Sequence, residues 1–118
     1  MIDKVFYLST CSTCKTIMKT WDLIGIEEQD LKKENINESE LEFLRARVNS
    51  YEELLNKRAR LLKDHDLSDG PQREEQIRQL ILFHYSFLKR PILVLKNEIF
   101  VGNSTKITEA AKLALENR

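Results

Sequence analysis

The sequence predicts an α/β fold, a βαβ…ββα mixed sheet with a helical insertion between strands 2 and 3. Three features lead there. Val5-Phe6-Tyr7-Leu8 is a continuous apolar run of the kind found in a strand buried on both faces of a sheet. Residues 37–88 carry apolar side chains at helical spacing, punctuated by capping signals. Near the C-terminus, Ile92-Leu93-Val94-Leu95 and Ile99-Phe100-Val101 flank the short polar connection Lys96-Asn97-Glu98, the pattern of an antiparallel hairpin.

Taken in chain order, the first strand reads as a central parallel one, because nothing polar interrupts it. Ser9, Thr10, Ser12 and Thr13 follow and offer helix caps. Cys14, Ile17, Met18, Trp21 and Ile24 then recur at helical spacing until Gly25 ends the helix. Residues 26–31 form a more acidic second strand whose polarity suits a sheet edge. Asn37 with Glu40 three residues later is an N-cap and N3 pair, and Ser50 with Glu53 repeats it before Leu54, Leu55, Arg58, Leu61 and Leu62. Two successive helices are expected there. A turn at Asp69-Gly70-Pro71 precedes a further helix marked by Ile77, Leu80, Ile81, Leu82 and Phe83, which stops before Arg90-Pro91. After the hairpin, Asn103 or Ser104 caps a last helix with Ile107, Ala110, Ala111, Ala114 and Leu115 on one face.

The chain has 118 residues, room for one domain with one core, so residues 1–118 are expected to form a single domain with residues 37–88 as its helical insertion. Hydrophobic residues make up 42% and charged residues 32%, a balance that excludes collagen-like and disordered classes. Nineteen basic residues offset nineteen acidic ones, which leaves no electrostatic drive toward nucleic acid or an anionic membrane. No apolar run approaches the ~20 residues of a membrane span, and no secretory leader is visible, so the expected location is the cytoplasm. Two cysteines cannot build the framework of a secreted mini-protein; in a reducing compartment a close pair points to redox or metal chemistry.

That pair is Cys11-Ser12-Thr13-Cys14. Cys11 falls where an apolar strand meets a helix, so first-turn N–H groups and the positive end of the helix dipole favour its thiolate. Cys14 shares the helical stripe of Met18 and Trp21, which places it inward, while Cys11 precedes the first turn and faces solvent. One sulfur is set to attack and the other is sheltered. The bland alternative is a pair of small apolar residues or half of a zinc site. Zinc needs two more ligands, and the two histidines, His65 and His84, lack a paired ligand spacing, so no metal is expected. His84 borders an apolar helix and reads as a helix-end or core residue.

Two arginines stand out. On a continuous helix Arg58 shares the stripe of Leu54, Leu55, Leu61 and Leu62, where a guanidinium must find an anion; Arg60, about 200° further round, points elsewhere. An internal salt bridge or a side chain reaching out to water is the structural alternative. Arg90 precedes Pro91, and Pro91 opens an apolar strand, a place where an X-Pro bond is sometimes cis and a missing N–H is tolerated. A plain loop boundary explains that pair equally well.

Together, Cys11-Ser12-Thr13-Cys14, Leu55-Asn56-Lys57-Arg58 and Lys89-Arg90-Pro91-Ile92, closing on Val101-Gly102, resemble the ArsC-related family of arsenate reductases and the Spx regulators over essentially the whole chain. The resemblance implies a thioredoxin-like sheet with a helical insertion and a cis-proline opening the third strand. Residue by residue it implies Cys11 as nucleophile, Arg58 as the basic residue from the insertion and Arg90 as the arginine before the cis-proline. It also makes glutathione and glutaredoxin candidate electron donors, with no cofactor bound. There is one departure. Family members with the best-defined oxyanion site have a further arginine after the final hairpin, where this chain has Val101-Gly102-Asn103.

The expected function is a thiol-dependent oxidoreductase, with a small thiol or oxyanion as substrate. Cys11 attacks, Cys14 resolves the adduct, and Arg58 and Arg90 hold negative charge. The alternative is a Spx-like redox-switched regulator that binds the RNA polymerase α-subunit, without direct nucleic-acid contact, and uses the two cysteines as a switch. A family member whose cysteines are only structural ranks third.

Overall fold

A computed structural model describes residues 1–118 of the chain, which divide into two compact units, Met1–Glu34 with Arg90–Arg118, and Asn35–Lys89. The first unit holds the sheet: β1 (Lys4–Tyr7), α1 (Ser12–Lys19), β2 (Glu27–Asp30), β3 (Ile92–Leu95), β4 (Glu98–Val101) and α4 (Thr105–Glu116). The strand order is β2-β1-β3-β4. β1 runs parallel to β2 and antiparallel to β3, and β3 and β4 form the antiparallel hairpin. This is the mixed α/β sheet expected from the sequence, with the uninterrupted apolar strand inside and the acidic strand at the edge.

Alternation along the strands separates two faces. Val5, Leu93 and Leu95 pack with Trp21, Ile26, Ala111 and Leu115, while Ile17, Met18, Leu23, Phe100 and Ala114 close around them. That core clamps α1 and α4 to one side of the sheet, and each large side chain fully buried there contributes about 1.5–3 kcal/mol. The other face, with Lys4, Phe6, Gln29, Ile92 and Val94, is buried as well. Its one ammonium is accommodated locally: Lys4 Nζ donates to Gln29 Oε1 at 2.9 Å and lies 5.4 Å from the centroid of the Phe6 ring.

Local chemistry ends these elements somewhat differently from the sequence pattern. α1 stops at Lys19, because Thr20 and Trp21 turn their N–H groups onto Ile17 and Met18; Gly25 (φ +79°) then turns the chain into β2. The hairpin turn is two residues, Lys96 and Asn97, both left-handed (φ +51° and +66°), so Glu98 belongs to β4. Two consecutive left-handed residues match the twist of the flanking strands. Ser104, not Asn103, caps α4 through the N–H of Ile107.

The second unit contains α2 (Glu38–Arg45), 3₁₀ turns at Tyr51–Leu54 and Arg60–Asp64, α3 (Arg73–Phe83) and a 3₁₀ turn at Tyr85–Phe87. The Asn37/Glu40 capping box forms, with the Glu40 N–H on Asn37 Oδ1 at 2.8 Å and the Asn37 N–H on Glu40 Oε1 at 3.0 Å. The continuous helix expected after Ser50 does not. Ser50 caps only a 3₁₀ turn, and the chain then becomes extended at Leu55, which bridges Leu88. Asn56 N–H donates to the Phe87 carbonyl (2.8 Å) and Lys89 N–H to the Leu54 carbonyl (2.9 Å), so partners distant in sequence take the backbone groups a helix would have paired internally. Both adjacent leucines, Leu54 and Leu55, become fully buried this way, along with Leu41, Leu44, Ile77, Ile81, Phe87 and Leu88. Glu74 of α3 accepts the N–H groups of Tyr51 and Glu52, at 2.8 and 3.2 Å. No helix is long and apolar enough to cross a membrane.

Candidate functional site

Cys11 is the N-cap of α1, with extended backbone (φ −97°, ψ 108°). None of the nearby hydroxyls takes that place, contrary to expectation. The Cys11 N–H donates back to the Leu8 carbonyl at 3.0 Å, and its own carbonyl accepts the Lys15 N–H at 3.2 Å, which begins the helix. Cys11 is partly exposed; Cys14, one turn on at the third helical position, is completely buried.

Both cysteines are free thiols, and their surroundings push them in opposite directions. Partial burial alone would raise the Cys11 thiol. The N–H of Cys14, the Cys14 thiol donating to the Cys11 sulfur, and the charge and hydrogen bond of the Arg90 guanidinium outweigh it, so the Cys11 pKa is lowered. The Cys11 sulfur makes no capping hydrogen bond of ordinary geometry, yet the Cys14 N–H lies close enough to favour its thiolate. Cys14 is pushed up to about 12, first by burial and then by its hydrogen bond to Cys11 and the negative charge there, against the opposing effects of the Leu8 N–H and Arg90. Of the two, Cys11 is the sulfur that ionises and Cys14 the one that keeps its proton.

Topology brings Arg90 here. β3 pairs antiparallel with β1 in the register Phe6 to Ile92, so the residues just before Ile92 lie beside those just after Phe6. The Arg90–Pro91 peptide is cis, and the Pro91 carbonyl accepts the Gly102 N–H at 3.0 Å. Cys11, Cys14, Arg90 and Pro91 are thus brought together within the first unit. The same loop has a further anchor: Asp30, at the end of β2, accepts the Ser9 N–H at 3.1 Å.

Arg58 belongs to the second unit. It is exposed in the turn between Leu55 and the 3₁₀ segment Arg60–Asp64, and its N–H donates to Asn56 Oδ1 at 3.1 Å. The helical stripe expected to bury the Arg58 guanidinium does not form: no helix spans residues 54–62, and Leu61 is itself 37% exposed. The motif remains, without the anomaly. His84 ends α3, and its Nδ1 accepts the Ser86 N–H at 3.0 Å, a helix-end histidine. His65 packs edge-on against Phe83 and Phe87. Sequence reasoning missed the Leu8 N–H and Asp30, since neither a main-chain donor nor a carboxylate on an edge strand carries a signal before the register is known.

The ArsC family model matches residues 6–111 of the chain. No curated protein sequence matches it significantly. Among solved structures, it is similar to an arsenate reductase (ArsC) related protein from Brucella melitensis, at 24% identity over 93% of each chain with a TM-score of 0.65. An ArsC family related protein from Bacteroides fragilis shares 22% identity, covering 95% of this chain and 98% of that one, with a TM-score of 0.72. The arsenate reductase from Vibrio cholerae shares 16%, covering 98% and 99%, with a TM-score of 0.75. At such identities the structural likeness establishes the fold, which is thioredoxin-like. With the family model matched over most of the sequence, the chain belongs to the ArsC family.

Proposed function

We propose that this protein is a thiol-dependent oxidoreductase of the arsenate-reductase type, with Cys11 as nucleophile and Cys14 as resolving thiol. The observation that carries the reading is the placement of the pair: Cys11 is the partly exposed N-cap of α1, Cys14 lies buried one turn on, and the Cys14 N–H and Arg90 favour the Cys11 thiolate. A thiolate is the attacking species in disulfide chemistry, so the sulfur with the lowered pKa is the one that attacks first.

With a disulfide substrate, the Cys11 thiolate forms a bond to one sulfur and the other leaves as a thiolate. Cys14 then loses its proton to solvent and attacks the Cys11 sulfur, releasing the second substrate thiol and leaving a Cys11–Cys14 disulfide. Two electrons pass from protein to substrate. The first step eases the second, because adduct formation removes the negative charge on Cys11 that helps to hold the Cys14 proton. An external thiol such as glutathione, or glutaredoxin, returns the pair to the reduced state. Arg90 holds negative charge on the incoming group. For Arg58 the support is the family motif Leu55-Asn56-Lys57-Arg58.

Arsenate is the weaker substrate on this reading. Bringing an oxyanion to a thiolate requires fixed positive charge, and each charge-assisted hydrogen bond adds about 1.5–3 kcal/mol. The family resemblance implies a further arginine after the final hairpin in members with the best-defined oxyanion site, and this chain has Val101-Gly102-Asn103 there. The test is NADPH oxidation in the presence of glutathione, glutaredoxin and glutathione reductase, with arsenate or a small mixed disulfide as substrate. Turnover of the disulfide that exceeds turnover of arsenate and vanishes in Cys11→Ser is expected. Turnover of either substrate undiminished in Cys11→Ser refutes the assignment.

A further inference from the structure

The Leu8–Ser9 peptide group, on which the cysteine loop hangs, is held at both ends. On one side its carbonyl, that of Leu8, accepts the Cys11 N–H at 3.0 Å. On the other its N–H, that of Ser9, donates to Asp30 Oδ1 at 3.1 Å. The preceding N–H, that of Leu8, is directed at the Cys14 sulfur. The orientation of this short stretch of backbone therefore governs how both sulfurs are placed.

Asp30 is itself fixed. Parallel pairing sets it opposite Tyr7 at the end of β2, and the Leu31 N–H continues the ladder onto the Tyr7 carbonyl at 2.8 Å. Oδ1 also accepts the Lys32 N–H at 3.1 Å, while the Asp30 carbonyl accepts the Lys33 and Glu34 N–H groups at 3.0 and 2.9 Å. A tight turn thus presents the carboxylate from a rigid base. Burial opposes its ionisation, but the hydroxyl and N–H of Ser9, the Lys32 N–H and the Lys33 charge outweigh it and hold Asp30 below the usual carboxylate range. At neutral pH it is an anion, and an anion on the N–H of a peptide polarises the carbonyl at the other end, strengthening its hold on the next donor.

We propose that Asp30 is a positioning residue for the cysteine pair, acting through the Leu8–Ser9 peptide to keep the Cys11 sulfur aimed at the Cys14 N–H. The proposal deepens the reading of Cys11 as nucleophile and rests on it. It makes a prediction of sign. If Asp30 acted only through its negative field, removing that charge would favour the Cys11 thiolate. If it acts through the peptide, removing the acceptor disfavours the thiolate.

The experiment is the rate of iodoacetamide alkylation of Cys11 against pH, read by peptide mass spectrometry, in wild type, Asp30→Ala and Asp30→Asn, with thermal unfolding followed for each. In Asp30→Ala the midpoint is expected to move to higher pH, with alkylation at pH 6 slowed on the order of threefold, as loss of an ordinary hydrogen bond implies. Asp30→Asn keeps an oxygen on the Ser9 N–H and is expected to stay within about twofold of wild type. An unchanged profile in folded Asp30→Ala, or a midpoint lowered in either variant, overturns the proposal. If Asp30→Ala does not fold, Asp30→Val, a strand former with no acceptor, decides on the same criterion: a midpoint moved to higher pH supports the proposal, and an unchanged or lowered one refutes it. Failure of the nucleophile reading looks different, since wild-type Cys11 would then alkylate no faster than an ordinary thiol.

Discussion

Replacing Arg90 by alanine tests the electrostatics of the site most directly. Arg90 favours the Cys11 thiolate twice, through its charge and through a hydrogen bond. A hydrogen bond to a charged group is worth about 1.5–3 kcal/mol, and partial exposure of Cys11 places this one at or just below the low end, about tenfold in thiolate fraction. A more basic thiolate is also more nucleophilic. With a Brønsted coefficient of about 0.4–0.5, the alkylation rate at high pH should rise about threefold while the rate at pH 6 falls about three- to fourfold. The wild-type and Arg90→Ala curves must therefore cross. Arg90→Lys, which keeps the charge without the planar fork, should fall between them. Iodoacetamide rates from pH 5 to 10, with label assigned to Cys11 by peptide mass, supply the curves. A uniform fall at every pH would mean that Arg90 controls access to the sulfur, and coincident curves would mean that it does not act on Cys11; either result refutes the reasoning.

Mild diamide treatment should give an intramolecular Cys11–Cys14 disulfide, seen as the loss of two hydrogens in the intact mass; only mixed or intermolecular disulfides would count against Cys14 as the resolving thiol. Stability should fall as the pH rises above 9, because Cys14 stays protonated up to about 12 in the folded state while the unfolded chain ionises near 9.0. The contribution of a group with raised pKa is complete below its unfolded value and lost above it, here by up to about 1.4 kcal/mol per pH unit. Cys11, with its lowered pKa, contributes in the opposite sense and has levelled off in that range. Tyr7 and Tyr51 are raised too and add to the loss, so the diagnostic quantity is the shallower decline of Cys14→Ala in urea unfolding at pH 8 and 10. Asn37→Ala, which breaks the capping box of α2, should cost about 1 kcal/mol by denaturant titration, whereas Asn37→Asp should cost little.

The sheet and the second unit differ in how openly they are written in the chain. β1 is recognisable because a strand covered on both faces has no polar residue to break the run, and β2 because acidic residues belong at an edge. The capping box at Asn37 is equally plain, since all its partners lie within four residues. The stretch from Ser50 to Leu62 misleads for the opposite reason. Its leucines have helical spacing, but Leu54, Leu55 and Asn56 pair their backbone with Lys89, Leu88 and Phe87, more than thirty residues away. No local pattern contains that information, and the supposed stripe position of Arg58 disappears with the helix.

At the site, residue type and spacing pointed to Cys11 and Cys14, because a C-x-x-C across a strand-to-helix junction places one sulfur at the first turn and the other inside. The inequality of the two thiols is partly local, from the burial of Cys14 and its N–H and thiol beside Cys11, and partly from elsewhere in the chain. Arg90 arrives through the antiparallel register of β1 and β3, while the parallel register of β1 and β2 brings Asp30 to the Ser9 N–H. The direction of a main-chain N–H, such as that of Leu8 toward the Cys14 sulfur, has no side chain to announce it. A linear sequence can place a cysteine at the end of a helix with its first donors one turn on; the Arg90 guanidinium that adds to them is supplied by pairing between distant strands, and is in place only once the sheet has closed.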